Sequence, residues 1–153
     1  MKKLPLLIYA LLAVASTFAN SPSNIDDKLL RLFSNSYPRA EHIRWEEMTN
    51  KYMVSFVENG IQARIIYQKD GSIESITRYY AEENLPAGIR QAVKREYKGQ
   101  TVWGVIEVSA DAGTEEHLKT VYFIKLVDNR NWTTIKMDSD GNTEVTERYR
   151  KAL

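Results

Sequence analysis

Residues 52–79 and 122–149 are two versions of one passage, and this constrains the chain more than anything else in it. YMVSFVENGIQARIIYQKDGSIESITRY aligns without a gap on YFIKLVDNRNWTTIKMDSDGNTEVTERY. Tyr52 falls on Tyr122, Val57 on Val127, Asn59 on Asn129, Ile65 on Ile135, Asp70 on Asp140, Gly71 on Gly141, Glu74 on Glu144, Arg78 on Arg148 and Tyr79 on Tyr149. A constant offset held through so many matches marks an internal duplication. Residues common to both copies are most simply scaffold, and little outside them looks like chemistry.

Within each copy the pattern is that of strands. Tyr52, Val54 and Phe56 alternate with Met53, Ser55 and Val57, the period of a half-buried strand. Glu58-Asn59-Gly60 has tight-turn residues, because Asn and Gly accept positive φ cheaply. Ile61 to Gln68 is the next strand, Asp70-Gly71 a second hairpin, and Ser72 to Tyr80 the strand after it. Ahead of this meander IDDKLLRLFSNSYP spaces Leu29, Leu32, Phe33 and Tyr37 as a helix does, with Asn24 as N-cap, acids in the first turn and Pro38 at its end. AEHIRWEEM is a short strand with Ile43 and Trp45 on one face. The order then recurs. Asn84 caps a helix with Pro86 in its first turn, Ile89, Ala92, Val93 and Tyr97 on one face, and Gly99 just past its end. Strands follow at 101–109, 121–127, 132–138 and 143–149. The polar tip Ala110 to Thr120 is about ten residues longer than its counterpart at Thr49 to Lys51, which points to a functional or mobile segment rather than a structural one.

A helix and a four-strand antiparallel meander, twice, predict an α+β domain whose sheet carries up to eight strands, with both helices on one face. Simple alternation predicts that Tyr52, Val54, Phe56, Ala63, Ile65, Tyr67, Ile73 and Tyr79 face the helices, as do Tyr122, Ile124, Leu126, Ile135, Met137, Val145 and Tyr149. It puts Met53, Val57, Arg64, Ile66, Ile76, Arg78 and Tyr80 on the other face, with Phe123, Lys125, Val127, Trp132, Lys136, Arg148 and Arg150. A solvated face should be almost entirely polar. This one mixes Trp, Tyr, Phe and Met with Arg, types enriched in protein interfaces. The partner-binding residues expected on it are Met53, Arg64, Ile66, Arg78, Tyr80, Phe123, Trp132 and Arg148.

MKKLPLLIYALLAVASTFA has two lysines, an apolar run, and small residues where a signal peptidase cuts, so residues 1–19 are expected to be a cleaved secretory signal. The apolar core is shorter than the roughly 18 residues of a spanning helix. No membrane span is expected after cleavage, and the product is placed in the periplasm or outside the cell. The chain has no cysteine, which excludes a lipoprotein anchor and disulfides alike. Residues 20–83 and 84–153 are expected to form the two repeats of one domain, long enough to bury a core without staples. Losing Lys2 and Lys3 takes the formal charge from +1 to about −1. Near neutrality with both signs interspersed argues against nucleic acid or anionic lipid as a partner.

Catalytic signals are lacking. His42 and His117 are the only histidines and have no regular ligand spacing, so no metal site is expected. No Ser lies in a Gly-x-Ser-x-Gly turn, and neither histidine is near a candidate nucleophile. Asp138-Ser-Asp140-Gly141 superficially matches a calcium loop, but Lys136 stands where the first ligand would fall, and two Asp-Gly hairpin turns are the simpler reading. The adjacent pairs Glu46-Glu47, Glu82-Glu83 and Glu115-Glu116 do not face one another as an acid/base pair would. Nor is there a glycine-rich phosphate loop. No catalytic residue and no cofactor are expected.

The run Phe33-x-x-x-Tyr37-Pro38-x-Ala40-x-x-Ile43-x-Trp45, the Tyr52-x-Val54-x-Phe56 strand, the Asp70-Gly71 turn, and Leu85-Pro86 before a second helix ending in Tyr97 resemble the secreted PepSY-like, beta-lactamase-inhibitor-like proteins of Bacteroidetes. The resemblance covers essentially the whole chain after the signal. It implies two tandem helix-plus-four-strand repeats forming one curved sheet, and a non-enzymatic envelope or secreted protein. Together with the aromatic face, this gives the expected function: a binding module that contacts an envelope protein or peptide, as an inhibitor of a peptidase or other hydrolase. The alternative is a binder of a small peptide or hydrophobic ligand in the sheet concavity.

Overall fold

The computed structural model describes residues 25–111 and 118–152; the expected signal segment, Asn24, His117 and most of the polar tip lie outside them. Helix α1 (Asp27–Ser36) leads into β1 (Glu41–Met48), β2 (Lys51–Glu58), β3 (Ile61–Gln68) and β4 (Ile73–Tyr80). A single 3-10 turn (Glu82–Asn84) then precedes α2 (Ala87–Glu96), β5 (Thr101–Asp111), β6 (Leu118–Val127), β7 (Asn131–Asp138) and β8 (Thr143–Arg150). All eight strands form one antiparallel sheet in chain order, β1 to β8, as the α+β reading predicts.

Local chemistry sets the boundaries. Asp26, not Asn24, caps α1: its carboxylate accepts from the Lys28 N–H at 2.7 Å. Pro86 stands at the N-cap of α2, while Asn84 belongs to the preceding 3-10 turn. Both helices end alike, Tyr37 donating its N–H to the Phe33 carbonyl and Tyr97 to that of Val93. Gly71 and Gly141 take φ of 91° and 88° in the two β-turns that follow an aspartate, which side chains disfavour. Asp138 closes the second turn by accepting from the N–H groups of Asp140 and Asn142, so its oxygens serve the hairpin. The expected polar tip is partly strand, since Ala110 pairs with Lys119 and Asp111 with Leu118.

Two cores cover one face of the sheet. Leu29 and Phe33 of α1 pack on Val54, Phe56, Ala63, Ile65 and Tyr67, with Trp45 set edge-on to Phe33 at 5.4 Å. Ile89, Ala92 and Val93 of α2 pack on Val105, Tyr122, Ile124, Leu126, Ile135 and Met137. Burying each large side chain is worth about 1.5–3 kcal/mol, so the cores supply most of the drive to fold.

Simple alternation fails where a strand carries an extra residue. In β3–β4 the register runs Ile66↔Ser75 and then Tyr67↔Ile73, leaving Glu74 unpaired. In β7–β8 it runs Thr134↔Glu147 and then Ile135↔Val145, leaving Thr146 unpaired. A bulge inserts one residue and thereby exchanges the two faces beyond it. Ile76 therefore joins the first core, opposite Ile65, and is buried. Arg78, Tyr80 and Arg148, expected on the outward face, lie on the helix side; Tyr79 and Tyr149, expected inside, point outward. Arg150 moves with Arg148. In β1 a further bulge spans His42, at φ 54°, and Ile43, so Ile43 is exposed although Trp45 is buried.

Candidate functional site

Between the two cores, on the helix side, runs a polar seam. Arg78 Nη1 donates to Glu107 Oε1 at 2.7 Å and Tyr80 Oη to Glu107 Oε2 at 2.6 Å. Ser109 and Thr120 share a hydroxyl hydrogen bond of 2.8 Å beside them. Burial pushes the Tyr80 phenol up, and its hydrogen bond to Glu107 adds to this; burial and then the Glu107 charge raise Tyr122. Each seam group is satisfied by a neighbour, and the cluster ties β4 to β5, the strands at which the two repeats meet. Arg148 likewise turns inward, its Nε 3.3 Å from Thr133 Oγ1. The polar groups of these three predicted contact residues thus serve the scaffold, although Tyr80 also lines an apolar groove.

The outward face is different. The β4–β7 register lines up Tyr79, Ile106 and Phe123 in one row, and Gly104, Lys125 and Thr134 in the next. Trp132 sits opposite both Val127 and Tyr149. Trp103 is the extra residue of a bulge between Val102 and Gly104, which throws its indole outward at 66% exposure. Its ring meets Trp132 edge-on at 5.7 Å. Lys125 Nζ lies 5.9 Å from the Trp103 ring centre, 5.3 Å from Trp132 and 5.4 Å from Tyr149, and Lys151 Nζ is 5.3 Å from Trp132. Such cation–ring contacts contribute about 0.5–1 kcal/mol each at exposed sites.

Beside this cluster lies an apolar groove of about 380 Å³, lined by Tyr79, Tyr80, Trp103, Gly104, Val105, Ile106, Phe123, Lys125 and Thr134. Gly104 opens its floor: a Cβ built there would meet nothing within 4 Å. A glycine inside a strand weakens it and commonly marks a close approach by another molecule.

Phe123 and Trp132, both anticipated, thus sit in the site. Met53, Arg64 and Ile66 are on the same face but over β2–β3, where Met53 pairs with Ile66, and do not line the groove. Trp103, Ile106, Tyr79 and Tyr149 were missed. A signal for the β4 bulge was present, because Ile73 and Ile76, three apart, cannot both face a core along a regular strand.

The groove belongs to one copy only. Matching the two registers sets Trp103, Gly104 and Ile106 against Ile43, Arg44 and Glu46, and Lys125 and Trp132 against Ser55 and Gln62. The core rows stay apolar in both copies while the outward rows diverge, so the aromatic cluster is not a by-product of the repeated scaffold.

Other clefts are poorer in such features. One of about 360 Å³ lies between α2 and the β7–β8 turn, and its smaller counterpart of about 110 Å³ lies between α1 and the β3–β4 turn. Among the described residues no three His, Asp or Glu side chains converge as a metal site, and no helix is long and apolar enough to cross a membrane.

No family model matches the chain and no curated protein matches it. Solved structures do match. A BLIP-like protein of Bacteroides fragilis, 14% identical, aligns with a TM-score of 0.57 over 85% of this chain and 89% of its own. A Bacteroides eggerthii protein, described only provisionally as periplasmic, is 19% identical with a TM-score of 0.57 over 83% and 89% of the two chains. A DUF2874 family protein of Bacteroides uniformis is 14% identical at the same TM-score, over 83% and 90%. Likeness at this identity concerns the fold, and it is the fold of the BLIP-like structures that this chain shares.

Proposed function

We propose, with that fold as premise, that the chain is a non-enzymatic periplasmic or secreted binding module that holds a protein against the outward face of β4–β8. The Trp103–Trp132 pair beside the Gly104 groove, Trp103 exposed and Trp132 half-buried, carries this reading. Aromatic anchors around a pocket, ringed by polar groups, are what protein interfaces concentrate their energy in. The secretory reading of residues 1–19 and the PepSY-like motifs from Phe33 to Trp45 support the compartment and the relationship. The likeness to a BLIP-like protein supports seeking the partner among hydrolases, with inhibition as the role.

The test is capture of partners from the cell envelope by the wild type and by Trp103→Ala/Trp132→Ala. Loss of the captured protein, with melting temperature within a few degrees of wild type, supports the proposal; undiminished capture by the variant refutes it. The size of the groove favours one second reading, a small hydrophobic or peptide ligand, which would raise the melting temperature in proportion to its binding.

A further inference from the structure

The groove's electrostatics define what sits in it. Among the described residues, Lys125 and Lys151 form no ion pair, and neither do Arg130 and Arg150. With Asn129 and Asn131, the residues Arg130, Arg150 and Lys151 line a cleft of about 480 Å³, which Lys151 joins to Trp132. Of the nearby carboxylates, Asp128 accepts from the N–H groups of Arg130 and Asn131 and also feels the Lys151 charge, and Glu147 accepts from Thr134 Oγ1. Lys125 therefore stands over the aromatic groove with no ion-pair partner among the described residues, and Lys151 and Arg130 lie beyond Trp132.

Resting on the binding reading above, we propose that the docked partner is an acidic, apolar protein segment. One aromatic or leucine side chain of it fills the space over Gly104 against Trp103 and Phe123, and a neighbouring Asp or Glu carboxylate accepts from Lys125 Nζ. The pairing of Gly104 with Lys125 places the two subsites side by side on adjacent strands, so one short extended segment reaches both. Ring faces hold the lysine cation over the groove and leave its N–H donors for an anion. Further acids of the segment lie toward Lys151 and Arg130. A neutral glycan would use the indoles and ignore these charges; a basic segment would be repelled by them.

The experiment is selection of a random twelve-residue display library on the full-length protein, then titration of the enriched peptides by intrinsic fluorescence. Enriched sequences are expected to carry an aromatic residue or Leu within two positions of an Asp or Glu. Changing those acids to Lys should weaken binding about tenfold, and Lys125→Met about fivefold. Trp103→Ala and Gly104→Gln should each weaken it at least about tenfold, the first by removing the anchor's wall and the second by filling its seat. If charge-reversed peptides bind equally well and still need Trp103, the face is a docking surface but the acidic preference is wrong. If no enriched peptide depends on Trp103, both readings fall. Trp103-dependent binding of cellohexaose in place of any peptide overturns the proposal in favour of a glycan.

Discussion

Tyr67 shows how completely a side chain here can be committed to the scaffold. It is fully buried, stacks on Trp45 at 6.1 Å, and its hydroxyl has no hydrogen-bond partner among the described residues. Burial, and to a lesser extent Tyr37, pushes its phenol up to about 12. An unsatisfied buried hydroxyl opposes folding, so Tyr67→Phe should leave stability unchanged or raise it by about 1 kcal/mol in urea unfolding. Ile65→Ala, one layer away, should lose about 2–5 kcal/mol by the same measurement. Glu107 is the opposite case. It accepts from Arg78 and Tyr80 at once, with its side chain 15% exposed, so Glu107→Ala strands both donors and should cost about 1–3 kcal/mol. Tyr80→Phe, which removes one donor and leaves the ion pair, should cost less.

Among the elements, the turns and bulges decide most. Asp138 is held below the usual carboxylate range, first by the Asn142 side chain and then by the Asn142 N–H. A folded-state value below the unfolded one gives stability that is present above the unfolded value and lost as pH falls through the folded one. The melting-temperature gap between wild type and Asp138→Ala should therefore be steady at neutral pH and close as the pH drops below about 4. The bulges also mark the limit of what the sequence disclosed. Helices, strands and their order were legible because apolar spacing reports burial, and the face of β2, β3, β6 and β7 followed from parity. Glu74 and Thr146 each add one residue without changing composition; the three-residue spacing of Ile73 and Ile76 betrays the first, and alternation alone does not locate the second. That is why Arg78, Tyr80 and Arg148 were set outward and Tyr79 and Tyr149 inward. Trp103 was overlooked for a related reason, since its exposure arises from a bulge and not from its place in the alternation.

At the level of the molecule, two apolar cores share one continuous sheet, joined through the β4–β5 ladder and the Arg78–Glu107 pair. Neither core has an edge of its own at the junction, so the protein should unfold in one transition. Trp45 reports the first core, being 5% exposed in it, once Trp103 and Trp132 are replaced by Phe. Its fluorescence in that variant should trace the same urea curve as far-ultraviolet circular dichroism. Separate midpoints would show that the halves melt independently.

Successive side chains of each strand leave the sheet on opposite sides, and the helices cover only one of them. Substitutions on the uncovered side therefore alter what the molecule touches at a smaller cost to folding than substitutions in the two cores. A lineage carrying this architecture could redirect its recognition by rewriting a dozen outward codons, and a designer could graft a new specificity there by the same route.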